Sequence, residues 1–268
     1  MDEVDRNRIS PQFAEFKREE AEVMETITGK PCLQILKLAG VLEAVKTKPV
    51  KVIENAGGAG ILTVVLKENV PASADVEVVV GDVEEAMVLI AQDRIRSHGW
   101  DKVEAKVIDG MNIPYPDESF DFSFIHFGIQ LYPDQPKGLS ESLRVLRRGG
   151  TLGLTTWHSP GFIPLLRRAD PSFPDITARM GPLTFPADVP AVLVDAGCAE
   201  SSVRLEPIAV DVRFDNVDAF FAMMTKGVKG LFSNEERNAK MRELLEAEHG
   251  SGPFSLVWEG TAIAAEKA

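Results

Sequence analysis

The chain has 268 residues, of which 44% are hydrophobic and 26% are charged, a composition typical of a globular protein with one sizeable core. Acidic residues outnumber basic ones by 41 to 29, and the net charge of −12 disfavours nucleic acids and anionic membranes as partners. The sequence contains no membrane-spanning apolar run and no secretory signal pattern, so we expect a cytoplasmic protein.

Apolar side chains recur at helical spacing in residues 11–46, and Pro31 predicts a break between two helical segments. We expect residues 1–48 to form a helical cap.

Residues 49–158 alternate short strands with helices, which is the pattern of an α/β fold with a parallel sheet covered on both faces. The predicted strands are Val50–Glu54, Val76–Val80, Val103–Ile108, Phe120–Ile125 and Thr151–Thr156. The predicted helices between them are Ile61–Glu68, Glu84–His98 and Gly138–Leu146.

The remaining chain is predicted to complete this unit. Residues 159–200 are interpreted as a lid insertion that ends in a helix at Asp188–Ala196. Residues 201–268 are expected to add a strand at Val203–Pro207, further helices, and a last strand at Phe254–Glu266 to the same sheet. The two cysteines have neither disulfide nor metal-site spacing, so no metal is expected.

A glycine-rich turn, VIENAGGAGILT, joins the first predicted strand to a helix, and its small residues let a ligand approach the main chain. Asp82 closes the second strand, where a carboxylate can accept hydrogen bonds from ribose hydroxyls. An ordinary turn and a helix-capping aspartate are the plainer alternatives. Thr63 replaces the third glycine of a dinucleotide fingerprint, and Glu54 would repel a pyrophosphate but attract an ammonium group, so a nicotinamide dehydrogenase is disfavoured.

The string VIDGMNIPYPDESFDFSFIHFGIQLYPD, together with ENAGGAGILT and GDVEEAM, resembles the class I S-adenosylmethionine-dependent methyltransferases. Within them it is most similar to the ubiquinone-type branch (methyltransferase type 11/25-like) and to fungal small-molecule methyltransferases. The similarity runs from about Val50 to Trp157, with a weaker echo in LVWEGTAIAAEK. It implies a Rossmann-like, seven-stranded sheet with helices on both faces and a helical substrate cap. Glu54 and Ala56 depart from the family's usual aspartate and first glycine.

The resemblance also implies a set of cofactor-binding residues for S-adenosylmethionine and for its product, S-adenosylhomocysteine. Those near the methionine end would be Glu54, Ala56, Gly58 and Gly60. Asp82 would hold the ribose. Those around the adenine would be Val83, Met87, Asp109, Gly110 and Met111. His126 and Phe127 would lie beside the sulfonium and the incoming substrate.

Methyl transfer mainly requires alignment of the nucleophile, so a general base is optional. His126 and His158 follow the fourth and fifth strands and are the candidate bases for a hydroxyl or thiol acceptor. The amino-terminal helices and the insertion are expected to determine specificity. The candidate substrate-binding residues are Phe13, Phe127, Trp157 and Phe162, although an aromatic ring taken singly more often belongs to the core than to a pocket.

The sequence therefore predicts a methyltransferase acting on oxygen, nitrogen or sulfur of a small-molecule metabolite such as a natural product. Two alternatives stay open. The chain could bind the cofactor but catalyse a non-methylating cyclisation or isomerisation, or it could be a non-catalytic regulatory subunit. A homodimer is compatible with the sequence.

Overall fold

A computed structural model describes residues 17–174 and 181–268. Seven strands form one sheet in the order β3-β2-β1-β4-β5-β7-β6. In chain order the strands are β1 Val50–Asn55, β2 Val76–Asp82, β3 Val103–Val107, β4 Phe120–His126, β5 Leu146–Ser159, β6 Arg204–Phe214 and β7 Phe254–Glu266. The first five strands are parallel, whereas β7 is antiparallel to both β5 and β6.

Helices cover both faces of this sheet, so β4 is buried along its whole length and β1 at every residue except Lys51. The helices are α1 Arg18–Leu38, α2 Val41–Ala44, α3 Ile61–Asn69, α4 Glu85–His98, α5 Gln135–Val145, α6 Phe162–Ala169, α7 Val189–Asp195, α8 Val217–Gly227 and α9 Glu235–His249. Short 3-10 helices lie at Ile129–Leu131, Pro182–Thr184, Glu200–Ser202 and Lys229–Phe232. Within residues 17–174 and 181–268, none of the helices is long and apolar enough to span a membrane.

The seven-stranded Rossmann-like sheet predicted from the sequence is confirmed, and the expected strands are present. The predicted end of the sixth strand at Pro207 is wrong, because β6 continues to Phe214. β6 is the edge strand of the sheet, and an edge strand tolerates a proline that cannot donate a hydrogen bond.

The predicted helix break at Pro31 is also wrong. α1 continues through this residue and ends before Gly40, whose φ of 78° favours glycine. Pro31 removes one hydrogen bond, but it lies on the buried face with Ile27 and Ile35, which pack in the main hydrophobic cluster. Tertiary packing therefore outweighs the local effect of the proline.

The insertion divides between the two faces of the sheet. Phe162 and Ile163, in α6, belong to the main hydrophobic cluster. Leu183, Val189 and Leu193 instead pack in a second cluster, which includes core residues of β4, β5 and β7. Only the beginning of the predicted lid therefore belongs to the main cluster, and its second half completes the other face.

A core variant tests this packing. Phe124 is fully buried in β4, and its ring occupies the space above Gly153, where an added Cβ would lie 2.5 Å from Phe124 Cδ1. We expect Phe124→Ala to lower the free energy of unfolding by about 3–5 kcal/mol because it leaves a cavity. Val257→Ala, at a side chain that is 53% exposed, should change it by less than about 0.5 kcal/mol. Urea denaturation of both variants measures this difference, and equal effects would contradict the assigned core.

Candidate functional site

A cavity of about 460 Å³ opens at the carboxyl ends of the central parallel strands. This is where the strand order reverses between β1 and β4, the usual ligand position in an open α/β sheet. One part of the lining, here called the loop wall, consists of Glu54, Ala56–Ala59, Asp82–Glu84, Met87 and Ile108–Met111. Another part, the aromatic wall, consists of Phe127, Trp157, Phe162 and Trp258.

The glycine loop passes very close to its neighbours. A Cβ at Gly57 would lie 2.8 Å from Val80 Cγ1 and 3.0 Å from Glu54 Cγ, so only glycine fits. Ala56 adopts a positive φ of 54°, which glycine would take with less strain. Its methyl group has room because residue 128 is glycine, at which a Cβ would lie 2.6 Å from Ala56 Cβ. The glycine at position 128 thus makes room for alanine in place of the family's usual glycine at position 56.

Glu54 is completely buried at the end of β1. Its Oε2 accepts hydrogen bonds from the Thr63 backbone N–H at 3.2 Å and from the Thr63 hydroxyl at 2.5 Å. Its Oε1 is buried and has no hydrogen-bond partner among the described residues, and Glu54 lines the cavity. Burial raises the pKa of Glu54 to about 7. The loop wall therefore holds a carboxyl group with one unused oxygen, a suitable partner for a cationic ligand group.

Asp82 connects the glycine loop to the start of α4. Its Oδ2 accepts from the Gly58 N–H at 2.7 Å, and its Oδ1 accepts from the Glu84 N–H at 2.9 Å. Burial raises its pKa, while these amide bonds act in the opposite direction. The side chain is thereby fixed beside the cavity with lone pairs still available for hydroxyl donors.

Asp109 and Gly110 form the turn that follows β3. Asp109 Oδ1 accepts from the Met111 N–H at 2.9 Å. A Cβ at Gly110 would lie only 2.2 Å from the Tyr132 hydroxyl and 2.5 Å from Asn55 Oδ1. Both of these oxygens are buried, and neither has a hydrogen-bond partner in residues 17–174 and 181–268. The turn requires glycine and brings unpaired polar atoms close to the cavity.

A buried ion pair fastens α1 to the glycine loop. The Arg94 guanidinium binds both carboxylate oxygens of Glu25, at 2.6 and 2.8 Å, and also donates to the Ala59 carbonyl at 3.1 Å. Glu25 lies in α1 and lines the cavity. Arg94 therefore joins the cap helix, the loop wall and α4 in one contact.

His126 ends β4, and its ring is buried beneath α1. Its Nε2 lies 2.8 Å from the Thr28 carbonyl oxygen and 3.2 Å from Cys32 Sγ, while Nδ1 lies 2.9 Å from Thr155 Oγ1. Burial lowers the pKa of His126 to about 4. Both ring nitrogens are thus engaged by the protein, and the ring is neutral at physiological pH.

The aromatic wall contains a stacked pair. The rings of Phe127 and Trp157 are 3° from parallel with centroids 4.0 Å apart, and Trp258 meets Trp157 edge to face. The Gln130 amide holds the Trp157 backbone through two hydrogen bonds, at 2.6 and 2.8 Å. This wall offers flat apolar surface that is fixed in place.

The structure brings most of the sequence-predicted residues together. Those that line the cavity are Glu54, Ala56, Gly58, Asp82, Val83, Met87, Asp109, Gly110, Met111, His126, Phe127, Trp157 and Phe162. Gly60 shapes the start of α3 with a φ of 79° and is not among the lining residues, and neither is His158. Phe13 lies outside the described residues. Among those described, no group of three or more His, Cys, Asp or Glu side chains could hold a metal ion.

Sequence reasoning missed several contributions, among them Arg94 and the end of α8. Arg94 continues the buried face of α4 after Val88 and Ala91, and a charged residue at that helical spacing is the signal that could have revealed it. Gly227, the last residue of α8, and Val228 and Leu231, which follow it, line the cavity. No local pattern marks them, because only the tertiary fold brings α8 to this edge.

The sheet has an antiparallel last strand, a glycine loop after β1, and acidic residues near the carboxyl ends of β1, β2 and β3. Together these features define the class of Rossmann-like methyltransferases. Residues 30–183, more than half of the chain, match the model of the ubiE/COQ5 methyltransferase family. The chain belongs to this family.

Individual relatives agree with this assignment. The ubiquinone/menaquinone biosynthesis C-methyltransferase UbiE of Cronobacter sakazakii is 31% identical over 192 residues, 68% of this chain and 72% of that protein. Methyltransferase tpcH of Aspergillus fumigatus is 26% identical over 163 residues, 59% of this chain and only 56% of that protein. A solved N-methyltransferase 2 of Haemonchus contortus, with S-adenosylhomocysteine bound, shares the fold at a TM-score of 0.52 and 13% identity, covering 93% of this chain and 59% of that one.

The buried ion pair between Arg94 and Glu25, here called the Arg94 clamp, can be tested directly by substitution. We expect Arg94→Met to destabilise the protein by about 3 kcal/mol, because it leaves the Glu25 carboxylate unpaired beneath α1. Amide exchange in α1 should accelerate in the same variant. The matched control is Arg96→Met, in the same helix, where the side chain is 68% exposed and pairs with Asp93 on the surface. Similar unfolding curves and exchange rates for the two variants would show that the clamp does not fasten α1.

Proposed function

We propose that this protein is an S-adenosylmethionine-dependent methyltransferase that acts on a small, largely apolar metabolite. The observation that carries the proposal is the unpaired, buried Oε1 of Glu54 next to the glycine loop. A buried acceptor without a partner is costly, and the ammonium group of a methionine moiety would satisfy it.

The remaining loop wall suits the rest of this cofactor. Asp82 can accept from ribose hydroxyls, with Val83 and Met87 providing apolar surface for the adenine. Asp109 can accept from the adenine amino group. Among the described residues, no lysine or arginine lines the cavity, so the charge pattern favours a cation and disfavours a pyrophosphate.

The cavity also supports a small, weakly charged acceptor molecule. Glu25 is neutralised by Arg94, the Gln130 amide is occupied by the Trp157 backbone, and His126 is neutral. The surface left for a substrate is mainly the aromatic wall with Met24, Ile163 and Leu231. A flat, neutral ring would bury apolar area there without leaving a charge unpaired.

The cofactor supplies an activated methyl group, and the protein's own residues supply position and exclusion of water. The aromatic wall and α1 would hold the acceptor atom in line with that methyl group. The cavity contains one histidine, and its ring nitrogens are already hydrogen-bonded, so an acceptor that ionises readily or carries a free lone pair fits best.

Cofactor binding should release a proton through Glu54. At pH 6.5 a carboxyl group with a pKa of about 7 is mostly protonated, and pairing with the charged amino group of S-adenosylhomocysteine favours its ionised form. We expect about 0.5–0.8 proton released per ligand, measured by calorimetry in buffers of different ionisation enthalpy. Glu54→Gln should bind more weakly and release none, whereas Glu43→Gln, at a side chain 78% exposed, should match the unmodified protein. Binding of S-adenosylhomocysteine without proton release would contradict the assigned role of Glu54. No binding at all would contradict the proposed cofactor.

A panel on one flat ring tests methyl transfer. With S-adenosylmethionine present, we expect mass spectrometry to show a product heavier by one methyl from 2-naphthalenethiol, and slower reaction of 2-naphthylamine and 2-naphthol. The order follows because a thiol ionises most readily, while His126, the histidine among the described lining residues, already has both ring nitrogens hydrogen-bonded. If S-adenosylhomocysteine binds but no probe is methylated, the non-methylating or regulatory alternatives gain support instead.

A further inference from the structure

The hydrogen bonds around His126 determine which of its nitrogens carries the proton. Nε2 lies 2.8 Å from the Thr28 carbonyl oxygen, and an unprotonated nitrogen there would set two lone pairs against each other. Nε2 must therefore carry a proton and donate it to Thr28. Nδ1 can then accept from the Thr155 hydroxyl at 2.9 Å. This leaves His126 as the neutral Nε2–H tautomer.

The neighbouring groups fit the same assignment. Thr155 Oγ1 accepts from the Phe127 N–H at 2.9 Å, so its own hydrogen is free for Nδ1. The Cys32 thiol lies 3.5 Å from the Thr28 carbonyl oxygen, to which it can donate. Desolvation by burial raises the pKa of Cys32, and the negative charges of Glu54 and Glu25 raise it further. Desolvation lowers the pKa of His126. Cys32 and His126 are thus a neutral pair and not a thiolate–imidazolium pair.

These contacts join three elements at one point. Thr28 and Cys32 belong to α1, His126 ends β4, and Thr155 belongs to β5. The next residue, Phe127, has a φ of 54°, which is strained for a non-glycine residue. Its N–H donates both to the Thr155 hydroxyl at 2.9 Å and to the Thr155 backbone carbonyl oxygen at 3.1 Å, and its ring stacks on Trp157.

We propose that His126 is a positioning residue and not the proton acceptor. As a neutral Nε2–H tautomer it links α1 to β4 and β5. Through Thr155 it also fixes the position of Phe127 in the aromatic wall. The relevance of that wall to a substrate rests on the proposed function. The hydrogen-bonded junction itself does not, because it involves only residues of this chain.

The tautomer can be observed directly in the full-length, ¹⁵N-labelled protein without any ligand. The chain has four histidines, and long-range ¹H–¹⁵N spectra resolve their ring nitrogens, with His126 assigned by its loss in His126→Gln. We expect His126 to show the Nε2–H pattern without change from pH 5.5 to 8.0. Titration in that range, or the Nδ1–H pattern, would overturn the proposal.

Two adjacent threonines in β5 provide a matched comparison. Thr155 and Thr156 are both completely buried, but Thr156 Oγ1 has no hydrogen-bond partner in the part of the chain that the structure describes. We expect Thr155→Val to accelerate amide exchange of α1 around Thr28 at least tenfold, and that of Phe127 by less, because the Phe127 N–H keeps its bond to the Thr155 carbonyl oxygen. Thr155→Ser should restore both. Thr156→Val should leave these amides unchanged. Equal effects of the two valine variants, or no effect of either, would refute the positioning role even if cofactor binding and methyl transfer were established.

Discussion

The buried carboxyl group of Glu54 is the constraint around which this site is organised. A carboxyl group at the end of a central strand, completely removed from water, is tolerated only with specific partners. Thr63 provides two hydrogen bonds from the first turn of α3, and this contact fixes the helix start relative to β1. Asp82 fixes the other side of the same loop through the Gly58 amide. The glycine loop is therefore held at both ends by carboxyl groups that also border the cavity.

α1 is attached by polar contacts to the glycine loop and to the end of β4, and by apolar packing beyond them. Arg94 joins Glu25 to the Ala59 carbonyl at one position along α1, and His126 meets the Thr28 carbonyl one turn further on. Beyond that turn α1 packs in the main core through Ile35 and Leu36. Helix and loop thus form one continuous wall, so a ligand in the cavity would contact a surface whose parts are mutually fixed.

The sequence was sufficient for the sheet and for most of the loop wall. Strand periodicity identified the parallel strands, and the acidic residues that close them were found because their position along the chain is regular. Pro31 and Pro207 misled the prediction, since local rules do not include burial on a core helix or position at a sheet edge. Thr63 was interpreted only as a missing glycine, yet in the structure it supports Glu54. The sequence does not indicate which face of the sheet the insertion covers, because tertiary contacts decide this. Helical spacing marks Arg94 as buried, but nothing in the sequence identifies Glu25 as its partner.

The close approach of Ala56 and Gly128 has a consequence for sequence variation. The two residues share one space that is large enough for a single methyl group, since a second Cβ would lie only 2.6 Å from the first. The side-chain volume allowed at one position therefore depends on the residue at the other. A chain with glycine at the first position can place alanine at the second, but alanine at both would force the loop and the residue after β4 apart. Substitutions at these two sites are therefore expected to be coupled, so that either one can only be interpreted together with the other.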